Sequence, residues 1–184
     1  MKRILVAGLL GGIVLVAWVF LIDGVLGFKR SIEMNQIPDE RIVYEILREH
    51  VVEPGGYICN PEITSDKVFP GDYPVFSIQY SGLGHASAGR ELLFGLLVFL
   101  ITPVFGAWML SKTSERTLSN YPRKVLFFVV MGVVFGLFGD LTRFGIGGYP
   151  MSDAIALALH DTVAWSVVGL VVAWRFRPAT GVTP

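Results

Sequence analysis

Four stretches of this chain are too long and too apolar to sit in water without penalty, and they limit every other choice the fold can make. Residues 4–22 and 92–110 each run nineteen residues without a charge, close to the ~20 apolar residues that a helix needs to cross hydrocarbon. Residues 125–139 are uncharged for fifteen and continue through Asp140 and Arg143 to residue 146, while residues 154–174 are interrupted only by His160 and Asp161. Fifteen apolar residues alone would equally suit a buried core helix, but the extension to 146 and the matching neighbour predict a third and a fourth span. Only 16% of the 184 residues are charged, against about 25% in a soluble domain, which is too few to cover the chain in water.

Other classes drop out on simple counts. Fifteen basic residues balance fifteen acidic ones, which removes the bulk electrostatic case for nucleic acid. A single cysteine, Cys59, cannot form an internal disulfide or a multi-thiolate metal site. Lys2 and Arg3 resemble the start of a signal peptide, but the apolar run that follows is longer than the usual one and Ile22-Asp23-Gly24-Val25 lacks a small-x-small cleavage pattern. The first segment therefore reads as a retained anchor.

The distribution of Lys and Arg sets an expected orientation. Lys2 and Arg3, then Lys112, Arg116, Arg123 and Lys124, then Arg175 and Arg177 fall on one side of a four-span bundle, and the positive-inside rule makes that side cytoplasmic. Lys29 and Arg30 dissent. The resulting fold class is an α-helical integral membrane protein with four spans, both termini cytoplasmic and a small extracytoplasmic α+β cap between its first two spans. Expected boundaries are residues 4–27, 91–111, 125–146 and 152–174 for the spans, 28–90 for the cap, 112–124 for a cytoplasmic loop, 147–151 for an outer turn and 175–184 for a cytoplasmic tail.

Within the cap, six basic residues face nine acidic ones. Pro38, Asp39 and Glu40 suit a helix start, and Ile42, Val43, Ile46 and Leu47 recur at helical spacing as far as Pro54-Gly55-Gly56. Tyr57-Ile58-Cys59 and the run from Val75 to Tyr80 read as short strands, with turn chemistry at Asn60-Pro61 and at Phe69-Pro70-Gly71-Asp72. So small a unit buries little apolar surface unaided, so span ends or a partner protein should support it.

Charges inside spans are costly, which makes Asp140, Arg143, His160 and Asp161 the candidate polar cluster, with Asp23 and Glu91 added from the outer ends of the first two spans. Asp140 and Arg143, three apart, can pair on one helix. His160 and Asp161, being adjacent, should point about 100° apart. The plainest expectation is a structural clasp, with Arg143 neutralised by Asp140 and Asp161 while His160 donates to a backbone carbonyl. A proton relay would need ionisable groups in the inner halves of the spans, and the sequence has none there. No H-E-x-x-H spacing, facing histidine pair or G-x-S-x-G setting occurs, so no catalytic residue, metal site or cofactor is expected. Gly8 with Gly12, and Gly132 with Gly136, are small-xxx-small pairs that predict close helix packing.

Glu53-Pro54-Gly55-Gly56-Tyr57, Tyr121-Pro122-Arg123-Lys124, Gly148-Tyr149-Pro150 and Asp161 with Trp165 and Gly169 give the chain a pattern that resembles a loose group of uncharacterised bacterial four-helix inner-membrane proteins with no assigned activity. The resemblance implies the four-span topology and transfers no site residue. The expected role is that of a non-enzymatic accessory or scaffold subunit, surrounded by lipid and bound to a protein partner or a second copy, with no nucleic acid. The alternatives are a small transporter or ion-coupled protein using the polar cluster, which demands a cavity running past His160, and a membrane enzyme acting on lipid or quinone, which demands an apolar groove beside His160 or His85.

Overall fold

The computed structural model describes residues 1–59, 74–145 and 148–176. The turn chemistry read at residues 60–61 and 69–72, the start of the 147–151 turn, and the tail from Arg177 onward lie outside the described residues.

Among the described residues, four helices are long and apolar enough to cross a membrane, spanning Lys2–Val25, His85–Leu110, Tyr121–Arg143 and Met151–Arg175. The first consists of α1 (Lys2–Trp18) and a π-helical continuation, Val19–Val25. A short helix α2 (Phe28–Glu33) follows directly, then α3 (Glu40–His50), β1 (Gly55–Cys59) and β2 (Phe76–Tyr80). The second long helix is chiefly α4 (Ala88–Leu110), linked through α5 (Glu115–Leu118) to α6 (Tyr121–Phe135). Past Phe135 the third long helix widens into a π segment, Gly136–Asp140, and then tightens to a 3₁₀ turn, Leu141–Arg143. The fourth is α7 (Met151–Arg175). Local signals account for several ends. Asn120 caps α6 by accepting from the Arg123 N–H at 3.1 Å, with Pro122 in the first turn where its missing donor costs nothing.

The long helices stand in the order α4, α1, α7, α6, with α1 and α7 in the middle. Glycine makes the contacts close. A Cβ on Gly12 would lie 2.5 Å from the Leu100 carbonyl oxygen, and one on Gly8 would strike the Val104 backbone. Between α6 and α7 the same holds for Gly132 against Thr162 and for Gly136 against Ala158. Without a hydrophobic force between helices in lipid, such backbone approach supplies the dispersion contact that holds them together. α4 meets α6 chiefly at one level, where Gly106 receives the ring of Phe128. Phe128 is fully buried, seated also against Gly169 and stacked on Trp165 at 6.2 Å. Around it Ala107, Leu110, Val168 and Val172 close the core toward the chain termini.

That end is also tied by polar groups. The buried Lys124 ammonium donates to the Phe176 carbonyl at 2.7 Å, just past the C-terminus of α7, where a cation meets the negative end of the helix dipole. The outward faces of the long helices are apolar, with Phe94, Phe105, Val130, Phe138, Leu159 and Leu170 among the exposed side chains. Water penalises such a surface and hydrocarbon accepts it.

The segment between the first two long helices is thin. β1 and β2 pair antiparallel with Tyr57 opposite Ile78, and no residue of α3, β1 or β2 is buried. Gly82, at φ +73°, turns the chain where a side chain would collide with Pro54. Gly27, at φ +69°, makes the turn that starts α2.

The glycine contacts differ sharply in consequence. Gly136→Ala places a methyl 2.7 Å from the Ala158 carbonyl oxygen, which cannot yield without moving α7, whereas Gly139 has no atom within 4 Å of a new Cβ. Gly136→Ala should lower stability in detergent by about 1–3 kcal/mol, as overpacking does, and Gly139→Ala should melt with the parent. Equal melting of the two variants would refute this account of the α6–α7 contact.

Candidate functional site

Polar groups gather where α1 gives way to its π segment, beside the C-terminal end of the third long helix and the N-terminal end of the fourth. Two carboxylates enter from π segments, Asp23 from the first long helix and Asp140 from the third. π turns are rare and concentrate at functional sites, because the extra residue redirects a side chain. Trp18 and Asp23 are five apart, which an α-helix would separate by about 140°, and the π segment brings both to one imidazole.

That imidazole is His160, 7% exposed. The Trp18 Nε1–H donates to its Nε2 at 3.1 Å. With Nε2 accepting, the neutral ring carries its proton on Nδ1, which donates to Asp161 Oδ1 at 3.0 Å. Phe28, from α2, stacks on the ring with centroids 4.9 Å apart and planes 12° apart. Lys29 then reaches Asp161 at 3.9 Å, an ion pair both of whose members are about a third exposed.

A second branch lies alongside. Arg143 Nη2–H donates to the Tyr149 hydroxyl at 2.7 Å, and that hydroxyl donates to Glu33 Oε1 at 3.0 Å. The guanidinium also lies over the Tyr149 ring, 4.5 Å from its centroid, and 3.7 Å from Glu33. Asp140 is a looser partner for Arg143, at 3.9 Å, and its Oδ2 is buried without a hydrogen bond. Burial, and then the hydrogen bond to Glu33 and that group's charge, push the Tyr149 phenol above its usual range. Tyr149 therefore stays protonated and can donate to Glu33 while accepting from Arg143. The contribution of this raised phenol is present at neutral pH and is lost only as pH climbs past the ordinary phenol value of about 10.

This arrangement corrects the clasp read from the sequence. Arg143 is held by Tyr149 and Glu33 more closely than by Asp140, and Asp161 belongs to His160 and Lys29. His160 has side-chain partners on both nitrogens rather than a backbone carbonyl. Adjacent residues His160 and Asp161 do share one site, because the carboxylate folds back along its own helix to Nδ1. Glu91 stands apart, paired with its neighbour Arg90 at 3.2 Å. It meets Asp23 only as a wall of the apolar groove of about 800 Å³ between the diverging halves of the first two long helices.

Trp18, Phe28, Lys29, Glu33 and Tyr149 were not part of the expected cluster. One signal was available: Lys29 and Glu33 are four apart, the spacing that puts two side chains on one helix face. α2 uses that face to reach both branches, Lys29 to one and Glu33 to the other.

Beside His160 lies a cleft of about 270 Å³, between Val98 and Thr102 of α4 on one wall and Phe135 and Gly139 on the other. Its floor is Leu15, Ala164 and Trp165, and Lys29, His160 and Asp161 stand at its outer end. The cleft exists because α4 and α6 converge at Gly106 and Phe128 and remain apart beyond them. Among the described residues no group of three or more His, Cys, Asp or Glu is placed to hold a metal ion. No family model matches the chain, and neither the curated proteins nor the solved structures contain a match.

The Arg143 branch can be tested directly. Tyr149→Phe should cost about 1 kcal/mol, below the usual range for hydrogen bonds to charged groups because the site is partly open to solvent. In a double-mutant cycle it should couple to Glu33→Gln and not to Asp161→Asn. Coupling of Arg143→Ala to Asp161→Asn, with Tyr149→Phe silent, would restore the clasp inferred from sequence.

Proposed function

We propose that this chain is a non-enzymatic accessory or scaffold subunit of the bacterial inner membrane, holding a larger membrane protein through the segment between its first two spans. The observation that carries this reading is the bare apolar surface of that segment. In α3, Ile42, Tyr44 and Ile46 are each more than half exposed, as is Phe76 of β2, and Val52 and Ile58 are more exposed still. An amphipathic helix and a two-stranded ribbon that bury no residue of their own are marginal in water, and a partner that covers them supplies the missing burial.

In this reading both termini are cytoplasmic and the segment with α3 and the sheet is extracytoplasmic. Support comes from the basic residues at the end of the bundle where Tyr121 donates to the Leu170 carbonyl and Lys124 to that of Phe176. Lys29, the dissenter from the positive-inside rule, has its charge countered by Asp161. The transporter alternative is weakened by the floor of the cleft, since beyond Trp165 the core of Phe128, Val168 and Val172 is packed. A lipid or quinone site keeps one observation in its favour, the cleft itself, whose outer end is polar and whose walls are apolar. Gly139→Leu would fill that cleft. Loss of a co-purifying lipid or quinone in that variant would support the second reading, and unchanged lipid content would remove it.

Two measurements test the main proposal. In intact spheroplasts a membrane-impermeant thiol reagent should modify Cys59, which is exposed, and should not modify Cys59→Ser/Ser114→Cys. The reverse pattern overturns the orientation. A photocrosslinker placed at Ile46 should trap one discrete partner in cells, with the yield falling at least several-fold in Ile42→Asp. Crosslinks that are diffuse, or equal from Ile46 and from the polar position Glu49, would count against a partner-binding face.

A further inference from the structure

His160 Nε2 has two claimants. Trp18 Nε1–H donates to it at 3.1 Å, and Asp23 Oδ1 stands 3.2 Å from the same nitrogen. The nitrogen accepts from the indole only while its lone pair is free, and it donates to the carboxylate only when it carries a proton. In the arrangement observed the indole holds it, and Asp23 Oδ1 is accordingly buried with no hydrogen-bond partner. Nδ1 is already committed to Asp161 Oδ1 at 3.0 Å. The donor that Asp23 lacks is therefore one proton on Nε2.

We infer that Asp23, His160 and Asp161 form a proton-binding site in which one proton taken up at Nε2 moves the imidazole from Trp18 to Asp23. The proton comes from water and adds to the Nε2 lone pair. No covalent bond breaks, the ring gains one positive charge, and the Trp18 hydrogen bond is exchanged for a charge-assisted bond to Asp23.

The surroundings favour that cation. Phe28 offers the imidazolium a ring face at 4.9 Å. On the first long helix the facing charge is Asp23, and on α7 it is Asp161. α2 brings Lys29 to Asp161 and Glu33 to Arg143. The third long helix adds Asp140 beside Arg143, with the neutral Tyr149 between Arg143 and Glu33. α4 lends the cleft Val98, Phe99 and Thr102, none of which titrates, and its Glu91 shares only the outer groove with Asp23. With the imidazole neutral, four carboxylates (Asp23, Glu33, Asp140, Asp161) face two fixed cations (Lys29, Arg143), an excess of two negative charges that uptake of the proton halves. Asp23 and the imidazole are the buried members of this group, and an unpaired carboxylate there is costly, which is the physical reason for a proton to bind between them.

The exchange has a mechanical side. Trp18 is the last α-helical residue of α1, and Asp23 lies in the π segment that leads through Gly27 into α2. Uptake therefore shifts the anchor of this helix to its π end, next to the segment that carries α3.

The test uses the full chain in lipid nanodiscs, with ¹⁵N-labelled histidine and tryptophan and with His50→Gln and His85→Gln leaving His160 as the remaining imidazole. In a pH titration by NMR, Nδ1 should stay protonated throughout while Nε2 gains its proton in one step. The Trp18 indole N–H should lose its acceptor at the same midpoint. Asp23→Asn should move that midpoint about one pH unit toward acid, a roughly tenfold loss of proton affinity, because the imidazolium loses its carboxylate. Trp18→Phe should move it toward alkali, because the neutral ring loses its donor. A purely structural site predicts no such opposition of sign. Protonation at Nδ1 instead of Nε2, an indole signal indifferent to the His160 transition, or shifts of the same sign in both variants would overturn the inference. Where Asp23→Asn does not fold, coincidence of the Nε2 and Trp18 midpoints in the parent decides the matter.

Discussion

A carboxylate cannot stand unpaired in an apolar bundle without cost, and the path of this chain at one end of its helices follows from that constraint. Asp23, Asp140 and Asp161 enter there on three different long helices, and among the described residues those helices set Arg143 and His160 against them. The chain meets the deficit by folding α2 back at Gly27. Lys29 then reaches Asp161, while Glu33 joins Arg143 through Tyr149. One short helix thereby fastens the first long helix to the third and fourth.

The two ends of the bundle are built on different physics. Toward the termini, Phe128 fills the space left by Gly106 and Gly169, and dispersion contact among Val168, Val172, Ala107 and Leu110 closes the interior. Toward α2, hydrogen bonds and ion pairs replace that packing, and the helices splay enough to leave a cleft and a groove. Both π segments lie at the polar end. A widened turn reorients Asp23 and Asp140 at the expense of regular backbone bonding, and among the described residues the buried carboxylate oxygens without partners belong to these two.

The segment from α3 to β2 stands outside both regimes. Its helix and strands form where periodicity and turn residues place them, yet it buries none of their side chains. Local propensity is enough to define such elements and too weak to make them a domain.

Much of this was legible in the residues alone. The long helices follow from the length of the apolar runs, because a run near twenty residues leaves a helix in lipid as its cheapest state. α3 and the two strands follow from spacing and from Gly and Pro at their ends. Helical spacing also marks Gly8, Gly12, Gly132 and Gly136 as small faces, although which helix meets each face is a matter of tertiary order. The pairing of the charges was not legible. Arg143 and Asp140 are three apart and invite a local pair, but the partners that hold Arg143 most closely are Tyr149 and Glu33, the latter more than a hundred residues away in sequence. His160 and Asp161 looked divergent by helical angle, and a folded-back side chain joined them. Sequence determines how many apolar helices there are and how long, because that depends on local transfer energy. Which charge meets which depends on the turn at Gly27, the two π segments and the order α4, α1, α7, α6, and only the tertiary structure decides those.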